Sequence, residues 1–359
     1  MQNSLLQLFP AEKRAFWSSA AAQGERLQEI RIRVDRPIVL LLGDREMFLN
    51  ERGDLQSTVE HARCATGREL EELLNHLCHY SLYAFEDEFR QGFLTVSGGH
   101  RVGIAGQVVQ EGDGTIRTMK NISYLNIRIA HQVKGVADGV LPYVYEAGRL
   151  KNVLIISPPG CGKTTLLRDL IRQVSDGNAY GMGRCVGVVD ERSEIAGSCQ
   201  GVPQNDIGMR TDVLDGCPKQ QGMMLLLRSM SPQVIAIDEL GGEEDMKALR
   251  MAAYCGVGIL ATAHGESIED VAGRFRWENA FREGMFDLFL ILGRENGRPI
   301  VRKMIKKEEF YAATVGRKYD YQRLSGAGNL VQTTIYSPAE NYQDITGDTG
   351  NTHERNQLW

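Results

Sequence analysis

Residues 153–174 read V-L-I-I-S-P-P-G-C-G-K-T-T-L-L-R-D-L-I-R-Q-V, and this stretch decides the fold. The apolar run at its start predicts a buried strand, and apolar residues at helical spacing from Leu166 to Val174 predict a helix. A strand, a glycine-rich loop, a Lys-Thr pair and a helix in this order are typical of a phosphate-binding P-loop. Ser157 stands where the pattern G-x-x-x-x-G-K-[ST] has glycine, but serine is small enough for a tight turn.

The P-loop pattern also predicts how each of its residues serves a nucleotide. Backbone N–H groups of the loop and the positive end of the helix dipole attract phosphate. Lys163 is predicted to reach the β- and γ-phosphates, and the hydroxyl of Thr164 is predicted to ligate Mg²⁺. The predicted nucleotide-binding residues are Ser157, Pro158, Pro159, Gly160, Cys161, Gly162, Lys163, Thr164 and Thr165. An ordinary strand-turn-helix is the alternative for this stretch taken alone.

A second nucleotide motif follows at residues 234–240, which read V-I-A-I-D-E-L. Its apolar residues predict a buried parallel strand, and Asp238 at the end of that strand matches the Walker B aspartate that holds Mg²⁺. Glu239 has the position from which a carboxylate orients or deprotonates the attacking water; a plain acid at a helix N-terminus is the alternative. The two motifs together predict an ATPase, with ATP as substrate and Mg²⁺ as cofactor.

Polar residues also end two other predicted strands. Asp190, Glu191 and Glu194 follow an apolar run, and Thr262 and His264 end another. The carboxyl ends of parallel strands are where open α/β sheets bind ligands, so we expect these residues near the nucleotide, with His264 catalytic. Acids on a solvated strand end and a satisfied surface histidine are the alternatives. The region 197–221 is rich in Gly, Pro, Asn and Asp, which predicts a long functional loop.

The remaining chain predicts an α/β protein in two domains and a tail. Residues 1–135 alternate short apolar strands with a helix that begins at a capping box of Thr66 and Glu69, which predicts an α+β domain with an antiparallel sheet. The P-loop domain is predicted at 136–317. Residues 318–359 are polar and without periodicity, so we expect a disordered tail.

Composition limits the classes of function. The 359 residues are 42% hydrophobic and carry a net charge of −5, which gives no support to a mainly nucleic-acid-binding protein. Seven cysteines without C-x-x-C spacing favour reduced thiols in a cytosol. No membrane span or signal peptide is evident, so we expect a cytoplasmic protein that reaches a membrane only through partners. His76, Cys78 and His79 share one predicted helix, but their spacing favours packing over a metal site.

Several of these segments together resemble the stage III sporulation AA family of endospore-forming bacteria. The resemblance covers residues 25–310 and rests on S-P-P-G-C-G-K-T-T, D-E-R-S-E-I-A-G, V-I-A-I-D-E-L-G-G, A-T-A-H-G and E-I-R-I-R-V-D-R-P. That family is similar to the secretion ATPases of type II, type IV and pilus systems. The resemblance implies a RecA-like P-loop NTPase core with an N-terminal α+β domain, and a homo-hexamer that hydrolyses ATP between subunits. It also implies docking in the mother cell on the cytoplasmic side of a membrane channel complex that joins the forespore.

The resemblance to secretion ATPases also implies roles for the polar strand ends. Asp190, Glu191 and Glu194 match the Asp box that lies between the Walker motifs of those enzymes. Thr262 and His264 match their His box. We therefore expect both groups at the nucleotide.

N-terminal arginines contact the phosphates in secretion ATPases, and Arg101, Arg117 and Arg128 are equal candidates here. The Walker B strand of that superfamily usually lacks an Asp-Glu pair. The roles of Asp238 and Glu239 therefore rest on general P-loop chemistry rather than on the resemblance.

Three functions remain open from the sequence. The first is a motor ATPase that powers or assembles the sporulation channel. The second is a nucleic-acid-associated ATPase, because a related plastid and cyanobacterial group joins a similar core to a single-strand-binding module. That module needs an Arg-x-x-x-His pair, whereas Thr349 stands four residues before His353 in a tail that is not basic. Nucleic acid is therefore not expected as a partner. The third function is a regulatory nucleotide switch with little turnover.

Overall fold

The protein is built on two large sheets, with one hydrophobic core packed on the first sheet and one on each face of the second. The computed structural model describes residues 2–275, 277, 281, 283–295, 298–310 and 333–334. The first sheet lies in the N-terminal part of the chain, and the second holds the P-loop. The predicted boundary at residue 135 stays a prediction, and the predicted tail 318–359 lies outside the described residues apart from 333–334.

The N-terminal part is a seven-stranded antiparallel sheet, as predicted, in the order β4-β3-β2-β1-β7-β6-β5. Its elements are α1 (Gln2–Gln7), α2 (Ser18–Ala21), β1 (Leu27–Arg33), β2 (Val39–Leu42), β3 (Arg45–Leu49), β4 (Leu55–Gln56), α3 (Gly67–Leu77), α4 (Glu86–Gln91), β5 (Phe93–Val96), β6 (His100–Gln110) and β7 (Ile116–Arg128). Helix α3 covers the core through Leu70, Leu73, Leu74 and Leu77.

The capping box predicted for α3 is confirmed. The side chain of Thr66 accepts a hydrogen bond from the backbone N–H of Glu69, and the Glu69 carboxylate accepts one from the N–H of Thr66. The helix ends before His79 and Tyr80, because both of these residues have a positive φ.

The candidate metal-binding side chains near the end of α3 do not converge. His76 hydrogen-bonds through Nε2 to the carbonyl of Gln7 at 3.0 Å, whereas His79 is exposed. Cys78 lies fully inside the core, and burial, with a smaller effect of the Glu88 carboxylate, raises the pKa of its thiol to about 12. The thiol is therefore a packed, protonated group.

The second part is an open sheet with helices on both faces, in the order β14-β13-β15-β16-β10-β17-β18-β19. Its elements are α5 (Leu141–Val144), β8 (Tyr145–Glu146), β9 (Arg149–Leu150), β10 (Val153–Ser157), α6 (Lys163–Asp176), β11 (Gly177–Asn178), β12 (Gly181–Met182), β13 (Val186–Asp190), β14 (Thr211–Asp215), α7 (Lys219–Ser229), β15 (Val234–Leu240), α8 (Glu243–Tyr254), β16 (Gly258–His264), α9 (Ile268–Phe275), β17 (Leu288–Glu295), β18 (Arg298–Lys306) and β19 (Thr333–Thr334). In this order the strands from β14 to β17 pair in parallel, and β18 returns antiparallel to β17.

Both faces of β10 are covered, which explains its unbroken apolar run. Val153 and Ile155 belong to the core that packs on α6, while Leu154 and Ile156 belong to the core that packs on α7 to α9. The P-loop therefore starts from a strand that is buried on both sides and held by β16 and β17.

The prediction of one long loop at 197–221 is wrong. Thr211–Asp215 form β14, which pairs in parallel with β13, and α7 already begins at Lys219. The sequence did not reveal this strand because β14 is an edge strand whose residues are only half buried, so polar residues interrupt its apolar pattern.

Among the helices of the described ranges, none is long and apolar enough to cross a membrane.

The capping box gives a test of the N-terminal fold. Thr66→Ala removes one acceptor from the first turn of α3 and should weaken that helix by about 1 kcal/mol. Hydrogen exchange in α3 should then be about fivefold faster, because such exchange reports local opening. Exchange mass spectrometry measures this, with the exposed Thr58→Ala as the matched control. Equal exchange rates in α3 for both variants would contradict a stabilising cap.

Candidate functional site

Three parallel strands bring the predicted site residues to one edge of the sheet. Strand β10 pairs with β16, so that Ser157 lies opposite His264, and β16 also pairs with β15. The P-loop after β10, the acids of β15 and the polar end of β16 therefore meet where an open α/β sheet binds its ligands.

The phosphate loop has the glycine conformations that the motif requires. Gly160 and Gly162 have φ of 71° and 81°. A Cβ on Gly162 would lie 3.3 Å from Pro299, so the loop is packed closely against β18. The guanidinium of Arg294 donates two hydrogen bonds to the carbonyl of Gly160, at 2.6 and 3.2 Å. Arg294, which the sequence reasoning did not single out, thus ties the loop to the β17–β18 hairpin.

Lys163 begins α6 and is 7% exposed, with its ammonium group directed into the site. Its Nζ donates to Oε1 of Glu239 at 2.8 Å and lies 3.2 Å from Nε2 of His264. A negatively charged oxygen thus occupies the hydrogen-bonding position that the P-loop motif predicts for a phosphate oxygen. The cradle and its lysine therefore fit an anionic ligand.

A bulge at the end of β15 directs Glu239 into the site. The pairing of β15 with β16 shifts register between Ile237 and Leu240, and Glu239 has a φ of 54°. This left-handed conformation is uncommon for a residue other than glycine. Two hydrogen bonds stabilise this backbone conformation. The backbone N–H of Glu239 donates to Oγ1 of Thr262 at 2.8 Å and to Oδ1 of Asp238 at 3.1 Å.

The carboxylate of Glu239 lies in a positively charged environment. Burial acts to raise its pKa, but the hydrogen bond and charge of Lys163, and then those of His264, lower the pKa to about 2. His264 Nε2 is 2.7 Å from Oε1, and Arg192 donates to the other oxygen, Oε2, at 2.7 Å. Glu239 is therefore ionised and held at both oxygens.

The two predicted magnesium ligands meet each other. Oγ1 of Thr164 donates to Oδ2 of Asp238 at 2.6 Å, and the hydroxyl of Thr262 donates to the other carboxylate oxygen. A hydroxyl and a carboxylate are the hard oxygen donors that Mg²⁺ takes, together with phosphates and water, in nucleotide sites. Within the described part of the chain, no group of three or more His, Cys, Asp or Glu residues is arranged to hold a metal by itself. The donor set fits an ion bound partly through a nucleotide.

Asp190, the buried acid of the predicted Asp box, binds the backbone of the segment that follows β13. Asp190 is 2% exposed, and its carboxylate accepts backbone N–H bonds from Glu194, Ile195 and Ala196 at 2.8–3.0 Å. Burial raises the pKa of Asp190 despite these bonds. From α6, Arg168 donates to the carbonyls of Glu194 and Ile195. The segment after β13 is thereby fixed to the P-loop helix.

The other two acids of this segment point to different partners. Glu191 pairs with Lys219 of α7, and Glu194 pairs with Arg101 of β6 at 3.1 Å. Neither acid hydrogen-bonds to the P-loop. Together with Asp190, Arg192, Lys219, Asp238 and Glu239, they line a small cleft beside the P-loop.

Among the three candidate arginines, Arg101 is the one that contacts the P-loop part of the chain. Its guanidinium reaches Glu194 and lies over the ring of Phe93 at 3.6 Å from the centroid. Arg128 lies opposite Arg101 across β6 and β7 and is exposed, and Arg117 is paired with Glu111. Sequence reasoning also missed Arg192, although its place between the predicted acids was a usable signal.

Solved structures confirm the predicted fold, a RecA-like P-loop NTPase core with an N-terminal α+β domain. The X-ray structure of the Legionella pneumophila ATPase DotB aligns over 86% of this chain and 84% of that chain, with a TM-score of 0.54 and 17% identity. The pilus retraction motor PilT with bound ADP aligns over 83% of this chain and 88% of that one, with a TM-score of 0.51 and 14% identity. At these identities the likeness concerns the fold.

Sequence comparison identifies the family. A family model described as "Sporulation stage III, protein AA" matches residues 1–309. The stage III sporulation protein AA of Bacillus subtilis (strain 168) is 40% identical over 307 residues, which cover 85% of this chain and 95% of that protein. These matches confirm the resemblance on which the predicted motifs converged. The chain therefore belongs to the stage III sporulation protein AA family.

Proposed function

We propose that the protein is a Mg²⁺-dependent ATPase that powers or assembles the channel complex between the mother cell and the forespore during sporulation. The observation that carries this proposal is the meeting of Lys163 and Thr164, from the P-loop helix, with Asp238 and Glu239, from β15. Family membership supports the sporulation role, and the fold shared with secretion ATPases supports ATP hydrolysis.

ATP binds by replacing the internal carboxylate partner of Lys163. The β- and γ-phosphates carry more negative charge than Glu239, and loop N–H groups and the α6 dipole add to their attraction. Lys163 then leaves Oε1 of Glu239 for the phosphates. Residues 157–165 surround the phosphates, and the Arg294 bonds keep the loop in its binding conformation.

Hydrolysis then uses the oxygen of Glu239 that Lys163 has left. Glu239 orients the attacking water, which suits a reaction whose catalysis is mostly positioning and charge stabilisation. Thr164 and Asp238 would hold Mg²⁺, which would neutralise charge at the phosphates. Thr262 holds both Asp238 and the backbone of Glu239, and His264 lies beside Lys163. These two residues therefore link the γ-phosphate position to the end of β16.

The active form is proposed to be a homo-hexamer in the cytoplasm, docked on the cytoplasmic face of the membrane channel complex. A P-loop at the sheet edge leaves the phosphates open to a neighbouring subunit, and the secretion ATPases share this fold. Arg101 of the N-terminal part is the arginine best placed to respond to the nucleotide, because its partner Glu194 follows Arg192 by two residues.

Lys163→Ala tests the nucleotide cradle. The variant loses the full positive charge directed at the β/γ-phosphates, so ATP affinity should fall at least tenfold in a fluorescent-nucleotide titration. The exposed Lys247→Ala is the control and should bind normally. Unchanged ATP affinity in Lys163→Ala would overturn the P-loop assignment.

The binding defect of Thr164→Ala should shrink at high magnesium, because Thr164 acts through the ion.

Glu239→Gln separates binding from hydrolysis. Glutamine keeps the shape and one acceptor oxygen but lacks the negative charge, so turnover should fall by about 10²–10⁴-fold. ATP affinity should be kept or increased, because Lys163 no longer has to leave a carboxylate. Steady-state phosphate release measures turnover, with Glu243→Gln on the exposed start of α8 as control. Normal turnover in Glu239→Gln would place the catalytic carboxylate elsewhere.

Single-stranded DNA should leave the wild-type rate of ATP turnover unchanged. Strong stimulation of that rate would favour the nucleic-acid-associated alternative.

Assembly gives an independent test of the ring. If the site is completed by a neighbouring subunit, the activity per chain should rise with protein concentration. ATP should also shift the protein to a species of about six chains in light scattering, and Glu239→Gln should accumulate that species. A fully active monomer at every concentration would rule out the ring.

A further inference from the structure

The side chain of Arg192 is the one contact of Glu239 that the proposed mechanism leaves without a role. Its Nη1 donates to Oε2 at 2.7 Å, on the carboxylate oxygen opposite to the one that Lys163 and His264 contact. The Arg192 side chain is 63% exposed, whereas that of Glu239 is 19% exposed. An exposed cation thus reaches in to the half-buried carboxylate at the edge of the cleft.

The backbone that carries Arg192 is fixed on both sides. Asp190 accepts three N–H bonds from residues 194–196, and Arg168 binds the carbonyls of residues 194 and 195 from α6. Ser193, with a φ of 53°, donates to Asp215 of β14 at 2.7 Å. Arg192 therefore presents its guanidinium from a rigid segment.

We infer that Arg192 is the positioning residue for Glu239 during ATP hydrolysis. The inference rests on the proposed function. When Lys163 moves to the phosphates, Glu239 loses the lysine contact on Oε1, and Arg192 keeps Oε2 in place. Oε1 then faces the attacking water in a fixed direction. Arg192 contacts the carboxylate and not the nucleotide, so it acts through Glu239.

In this arrangement the reaction depends more on where the Glu239 carboxylate lies than on how basic that carboxylate is. The groups that face Glu239 or line its cleft are Lys163, Arg192, His264, Asp190, Glu191, Glu194, Lys219 and Asp238. Once Lys163 is engaged by phosphate, the guanidinium of Arg192 still holds Oε2 of Glu239. Without Arg192, the carboxylate rotates more freely.

Arg192→Ala should therefore lower kcat about tenfold with little change in KM. Arg192→Lys should restore part of kcat, because lysine returns the charge but lacks the planar fork of arginine. Arg68→Ala, an exposed ion-pair change on α3, is the control and should match the wild type. Thermal unfolding of each variant, measured by circular dichroism, checks that the fold is kept.

A double-mutant cycle decides how Arg192 acts. In the Glu239→Gln background, Arg192→Ala should cause no further loss of kcat, because the two residues work as one unit. A raised KM at normal kcat, or a full additional loss in the double variant, would overturn the inference by placing Arg192 on the nucleotide. Normal kcat in Arg192→Ala beside an inactive Glu239→Gln would overturn the inference while leaving the ATPase intact. Normal turnover in Glu239→Gln would also overturn the inference, because the catalytic carboxylate would then lie elsewhere. Absence of ATP turnover in the wild type would instead overturn the proposed function.

Discussion

The parallel register of β10, β15 and β16 is the constraint on which the site depends. Because each strand is buried on both faces, it cannot slip relative to its neighbours without exposing apolar residues. The register places Ser157 opposite His264 and brings the end of β15 alongside. Residues that are far apart in the chain thereby meet within hydrogen-bond distance. The loops after the strands complete only the final placement of the side chains.

The ion pair between Lys163 and Glu239 balances the charges that the fold buries at this edge of the sheet. A buried lysine that has lost its hydration needs a compensating anion. Glu239 provides that anion, and the pairing lowers the pKa of its carboxylate to about 2 against the opposing effect of burial. The same carboxylate is the proposed catalytic group. Binding of phosphate to Lys163 and release of Glu239 for catalysis are then one exchange of partners.

The sequence was sufficient for the elements whose signals are local. The apolar run and glycine loop predicted β10 and α6, the V-I-A-I-D-E-L stretch predicted β15, and Thr66 with Glu69 predicted the start of α3. Edge strand β14 was missed because its half-buried residues carry no clear apolar pattern. The bulge at Glu239 and the contacts of Arg294 were not predictable, since they depend on how separate strands align in space. For Arg192, its place between the predicted acids was a signal for the residue but not for its partner.

The segment after β13 connects this site to the rest of the molecule. Arg192 binds the carboxylate next to Lys163, and Glu194, two residues later, binds Arg101 on the N-terminal sheet. Arg168 fixes the same segment to the helix that begins at the P-loop. Gln204 adds a second link by accepting a hydrogen bond from the backbone of Gly98. One short segment thus contacts both the proposed catalytic carboxylate, through Arg192, and the N-terminal sheet, through Glu194 and Gln204.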